Sequence, residues 1–98
     1  MNIQAMMKQA QKLQKDMMNE KNAIDSELFT ATSSFVTVEM KGNKELKKVK
    51  IDTDSLDSDD IEMLEDMILV AVNDTLNQIN KKTEDKMGKF TKGMPGLF

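Results

Sequence analysis

Residues 36–52 read VTVEMKGNKELKKVKID. Val36, Val38 and Met40 alternate with polar neighbours, and Val49 and Ile51 do so again beyond Lys41-Gly42-Asn43-Lys44. A period of two is the mark of strands with one covered face. Glycine and asparagine at the tip are the residues that supply positive φ angles in a tight reversal, so this stretch is expected to be a β-hairpin. Lys48 and Lys50 fall on the face opposite Val49 and Ile51 and therefore point away from the core, with Lys41 and Lys44 at the turn. Lysines so placed guard a sheet against edge-to-edge aggregation or offer a surface to a polyanion, and the pattern is compatible with both.

Upstream of the hairpin, Phe29 to Thr32 form a further short strand, with Ser33 and Ser34 at its turn, which makes a three-stranded antiparallel meander. Before that, Ile3, Met6, Ala10, Leu13 and Met17 recur at three- and four-residue intervals, the pattern of one helix over roughly residues 2–27 with a single buried stripe. Glu20 and Glu27 interrupt the repeat, so the C-terminal end of this helix is expected to be the wetter one. Lys8, Lys12 and Lys15 share a face at i, i+4 and i+7 beside the stripe; by itself this is also the pattern of an ordinary solvated face.

Downstream, a second helix is expected over residues 58 to about 90, with Ser58 or Asp59 as N-cap and Asp59 and Glu62 in a capping-box spacing. Ile61, Leu64, Ile68, Ala71, Val72, Leu76, Ile79, Thr83 and Met87 follow at helical spacing, and Met67 to Val72 is apolar on every side. Such a segment needs cover from more than one direction, and a single sheet supplies only one. Thirty helical residues span ~45 Å against ~27 Å for an eight-residue strand, so this helix must overhang its sheet. A second copy packed on the overhang, as a two-fold homodimer, is the simplest way to cover it. The single domain is placed at residues 1–90, and residues 91–98, with their glycines and proline, are expected to be an irregular tail.

Composition narrows the function. The chain has 98 residues, no histidine and no cysteine, which removes the usual general base near neutral pH, thiolate zinc sites and disulfides. Neither a catalytic constellation nor a phosphate-binding glycine loop is visible, so no enzymatic activity, small-molecule substrate, metal or cofactor is expected. Asp52, Asp54 and Asp57 fail the calcium-loop template, because its fifth position is Leu56, its sixth is no glycine and its twelfth is Met63. The first residues carry amides and lysines every few positions, unlike a signal or membrane-spanning segment, and a soluble, intracellular protein is expected.

Formal charge is −3, yet residues 52–66 alone hold eight acids and no base, and the remainder carries fourteen lysines against nine acids, or +5. Asp59, Asp60 and Glu62 suit the start of the second helix, while Lys81, Lys82, Lys86 and Lys89 suit its end, as the macrodipole favours. The two groups are separated by several times the ~8 Å screening length, so the acids need not cancel the bases. Every base is lysine, which contacts phosphate as a point charge and lacks the guanidinium fork that reads base edges.

The order of helix, three strands, long helix and short tail resembles the YbaB/EbfC family of bacterial nucleoid-associated proteins. The resemblance runs from MMKQAQKLQKDM (residues 6–17) through Val36, Val38, Met40, Gly42, Val49, Ile51 and Asp52 of the hairpin. It continues in DIEMLEDMILVAVNDT (residues 60–75), Lys86-Met87 and Gly93-Met94-Pro95-Gly96. It implies an α+β, αβββα subunit whose sheet is flanked by two long helices, a tweezer-like homodimer, and binding of double-stranded DNA with weak or no sequence selectivity on the nucleoid of the bacterial cytoplasm. The family carries no fixed DNA-reading motif from which contacts could be transferred. Its usual glycine-rich segment before the second strand is replaced here by Thr32-Ser33-Ser34, which leaves that turn open. Lys8, Lys12, Lys15, Lys81, Lys82, Lys86 and Lys89, on helices expected to project, are the candidate phosphate contacts. A different class of function, an adaptor gripping a protein partner with amphipathic helices rich in adaptable methionine, fits the same elements.

Overall fold

The computed structural model describes residues 2–91. The elements are α1 (Ile3–Ser26), β1 (Leu28–Ser33), β2 (Val36–Lys41), β3 (Leu46–Ile51), a 3-10 turn at Ser58–Asp60, and α2 (Ile61–Thr91). The strands form one antiparallel sheet in the order β1-β2-β3, so the α+β, αβββα expectation holds. The tail expected at residues 91–98 lies outside the described residues, apart from the backbone of Thr91 at the end of α2.

Alternation in the hairpin translates directly into burial. Val36, Val38 and Met40 are buried, and α2 lies across them and across Phe29 of β1. Ala71, fully buried, has a side chain small enough to let the helix approach Val36 and Val38 closely, and Ile79 fills the space against Phe29 and Met40. Buried Thr75 lies between them on the same face and donates its hydroxyl to the Ala71 carbonyl at 2.8 Å, which satisfies its polar atom inside the helix. Gln78 Nε2 donates to the Thr30 carbonyl at 2.9 Å, tying α2 to the free edge of β1.

Both turns differ in detail from expectation. At the hairpin tip, positive φ falls on Lys44 (71°) rather than on the Gly42-Asn43 pair. Glycine is needed at position 42 for another reason: a Cβ there would overlap the carbonyl oxygen and carbon of Ile24 in the last turn of α1. The turn between β1 and β2 is the two-residue reversal Ser34-Phe35, with Ser34 at φ 53°. Serine thus takes the left-handed conformation that glycine adopts without steric cost. At the start of the second helix the carboxylate brace lies two residues earlier than expected. Asp60 Oδ2 accepts from the Asp57 backbone N–H at 3.0 Å, and Asp60 N–H donates to the Asp57 carbonyl.

The first helix reverses the expected distribution of burial. Ile3 and Met6 are 70% and 52% exposed, Ala10 and Leu13 are also exposed, and only Met17 of the stripe is half-buried. The end expected to be wetter instead carries buried Ile24, which packs with Met87 and Phe90 of α2 and with Met17. The cause is placement: α1 meets α2 only near the C-terminal ends of both, so residues 3–16 have little cover from the other described residues. At 1.5 Å per residue that free arm is ~20 Å long. Overall extents of 72 × 21 × 14 Å and a radius of gyration of 19.5 Å describe a rod, where a compact chain of this length would have ~13 Å.

Strand β3 is exposed along its length. Its pairing puts Val49 beside Val38 and Ile51 beside Val36, on the face expected. Helix α2, however, crosses β1 and β2 and leaves Val49 and Ile51 about 40% exposed. Leu69 and Val70 on α2 are likewise exposed, so the all-round apolar segment lacks the additional cover its sequence calls for among the described residues.

Candidate nucleic-acid interface

Helix α1 begins with a built cap: the Asn2 side chain accepts from Gln4 N–H at 3.1 Å and Ala5 N–H at 3.3 Å. From there to Lys15 the helix contains three lysines and no acid, and every residue is exposed. Lys8 and Lys15 have no carboxylate within 4 Å among the described residues, while Lys12 pairs with Asp16 one turn on at 3.5 Å. That pair is solvent-exposed at (i, i+4) spacing and worth ~0.3–0.5 kcal/mol.

The lysines of α2 divide similarly. Lys81 and Lys86 are exposed and have no carboxylate partner among the described residues. Lys82 donates to both oxygens of Glu27, at 2.7 and 2.9 Å, strapping α2 to the junction between α1 and β1. Lys89 lies 4.0 Å from Glu20 and 4.9 Å from the centroid of the Phe90 ring. The counter-ions Glu20 and Glu27 were not legible from sequence, since Glu27 stands 55 residues from Lys82 and no local spacing links them.

The seven candidate lysines do not converge. Lys82 is level with Glu27 and Lys89 with Glu20, so the helices run antiparallel, and Lys8 stands ~18 Å further along α1 than Glu20. The arrangement is a string of ammonium groups along a rod, suited to a repeating anionic lattice.

The described residues also form open concavities. A cleft of about 320 Å³ between the α1 end, the hairpin tip and α2 is lined by Ile24, Asp25, Asn43, Ile79 and Thr83 among others, and Asp25 is already paired with Lys21 at 3.2 Å. Among the described residues no group of three or more Asp or Glu is placed to hold a metal ion, and no helix is long and apolar enough to cross a membrane.

Fold and surface together describe a small αβββα protein with a projecting cationic arm, a class that offers extended surface in place of an enclosed cleft. Comparison makes this specific: the sequence pattern of the YbaB/EbfC DNA-binding family matches residues 1–94, and the chain belongs to that family. Similar proteins include one named nucleoid-associated protein from Lactococcus lactis subsp. cremoris (strain MG1363), 52% identical, covering 97% of this chain and 98% of its own. Another of the same name, from Enterococcus faecalis, is 44% identical over 98% of this chain and 94% of its own. Neither name indicates a catalytic role. In structure, the chain is similar to an uncharacterized protein from Helicobacter pylori, with a TM-score of 0.75 and 21% identity, covering 92% of this chain and 97% of the other; this likeness speaks for the fold alone.

Proposed function

We propose that this protein is a nucleoid-associated DNA-binding protein of the bacterial cytoplasm, a non-catalytic homodimer that contacts double-stranded DNA mainly through phosphates. The observation that carries the reading is the α1 arm, where Lys8, Lys12 and Lys15 stand on an exposed helix that holds no acid before Asp16. Lys81 and Lys86 on α2 add ammonium groups with no carboxylate partner among the described residues, and Lys89 joins them by releasing its long contact to Glu20. Lys82 acts differently in this scheme: held by Glu27, it sets the angle between the two helices. Phosphate contact by lysine positions a protein on the duplex without reading its sequence. Self-association is supported by apolar groups left exposed among the described residues, Val49 and Ile51 of β3 and Leu69 and Val70 of α2.

Fluorescence anisotropy of a labelled duplex at several salt concentrations tests this. With about six phosphates neutralised, log K against log salt should have a slope near −5. Changing Lys8, Lys12 and Lys15 to Glu should weaken binding strongly and flatten the slope, and a flat salt response of the unaltered chain would refute the reading. An adaptor for a protein partner is the second reading, favoured by the exposed α1 stripe of Ile3, Met6 and Leu13. Partners recovered from lysate that persist after nuclease treatment would support it over DNA.

A further inference from the structure

The hairpin lysines of the sheet lie apart from the helical ones, on a face that α2 does not touch. Register places Leu28, Thr30 and Thr32 of β1, Thr37, Glu39 and Lys41 of β2, and Lys48 and Lys50 of β3 together on the side opposite the core. Two rows cross the strands there: Thr30, Glu39 and Lys48 in one, Thr32, Thr37 and Lys50 in the other. Thr32 and Thr37 hydroxyls are 3.0 Å apart and exposed. Residues 36–51 carry five lysines against two glutamates, a local +3 inside a chain whose total is −3.

Among the described residues, Lys41, Lys44, Lys48 and Lys50 have no carboxylate within 4 Å, although Glu39 stands opposite Lys48. Only Lys47, at the irregularity in the β2–β3 pairing, is engaged, by Glu45 at 3.3 Å.

Resting on the DNA reading above, we infer that this outer sheet face is a second phosphate-binding surface for duplex DNA, formed by Lys41, Lys48 and Lys50 with the Thr32 and Thr37 hydroxyls. Chemistry selects the occupant. A protein partner needs apolar anchors at the centre of its interface, and among the described residues Leu28 at the rim is the only apolar side chain of the strands on this face. Protein–DNA interfaces are polar and positively charged, as this one is. Lys48 and Lys50 project two residues apart on one strand, ~6.8 Å, a fixed spacing suited to a repeating charge lattice. Glu39, opposite Lys48, is an opposing charge on this face, and it weakens the site.

The test compares six proteins by duplex anisotropy across a salt series: the unaltered chain, a sheet variant (K41Q/K48Q/K50Q), a helix variant (K8Q/K15Q/K81Q/K86Q), their combination, E39Q, and K48R/K50R. The sheet variant should lower the salt slope by about 3 and weaken binding at least ~10-fold at 0.1 M salt. The helix variant should keep a salt-dependent residue of binding that the combined variant lacks. E39Q should tighten binding several-fold, and K48R/K50R should bind as the unaltered chain does, which separates loss of charge from loss of fold or edge protection. Normal binding with an unchanged slope in the sheet variant would overturn the inference while leaving the DNA reading intact. Absence of binding by the unaltered chain would overturn both. Salt-sensitive self-association lost in the sheet variant, with its DNA slope unchanged, would assign the face to the acidic 52–66 segment of another copy and would equally overturn it.

Discussion

Gly42→Ala is the substitution that bears most directly on how the cationic arm is held. The added methyl would overlap the backbone carbonyl of Ile24, and no side-chain rotation relieves a clash with backbone. The hairpin tip and the α1 end must separate. Two hydrogen bonds cross that junction, from Gly42 N–H to the Glu27 carbonyl at 2.9 Å and from Asn43 N–H to the Asp25 carbonyl at 3.3 Å. Each contributes ~0.5–1.5 kcal/mol. Separation would also loosen Ile24 against Met87 and Phe90, forfeiting part of the ~2–5 kcal/mol that truncating a buried isoleucine costs. A total loss of about 2–4 kcal/mol is expected. Urea denaturation followed by circular dichroism, at one fixed protein concentration because self-association would shift the midpoint, measures it. Hydrogen exchange should quicken across the last turns of α1 and change little in β1 and β2. A loss below ~0.5 kcal/mol with unaltered exchange would refute the close approach of turn and helix.

The Lys82–Glu27 strap should show coupling: K82A and E27A are each expected to cost about 1 kcal/mol, and the double variant less than their sum, because the pair is half-exposed yet bidentate. Strict additivity in a double-mutant cycle would remove the strap. Val49→Lys with Ile51→Lys should weaken self-association at least tenfold in analytical ultracentrifugation while costing little subunit stability, since both side chains are already substantially exposed; an unchanged association constant would move the contact elsewhere. The Glu45 carboxyl is held below the usual carboxylate range by its hydrogen bond from Lys47, with the Lys47 and Lys41 charges adding to the effect. A depressed carboxyl contributes stability that is present above its unfolded value and is lost as pH falls through the lower folded one. NMR titration should therefore find Glu45 ionising at lower pH than an ordinary glutamate and returning toward the normal value in K47A.

Where the chain's own period decides structure, the sequence was readable. Alternation in residues 36–51 placed Val36, Val38, Met40, Val49 and Ile51 on one face and Lys48 and Lys50 on the other, as the strand register has them. Helical spacing marked α1 and α2 to within a few residues, because hydrogen bonds between near neighbours impose 3.6 residues per turn wherever the helix later docks. Charge segregation was legible for the same local reason: the arm from Ile3 to Lys15 contains lysines and no acid whatever it packs against.

Docking was decided only in three dimensions. Whether an apolar stripe is buried depends on where the opposing surface ends, and α2 reaches Ile24 and Met17 while leaving Met6 and Ile3 in water. The requirement for glycine at position 42 belongs to the same class, since the atoms a Cβ would strike are on Ile24, 18 positions earlier in the chain. So does the division of the lysines into free and engaged, because Glu27 and Glu20 become their neighbours only when two helices run antiparallel. Periodicity is a property of successive residues and survives in the sequence. Contact between distant segments is set by the competition of whole surfaces for cover, which no local spacing records.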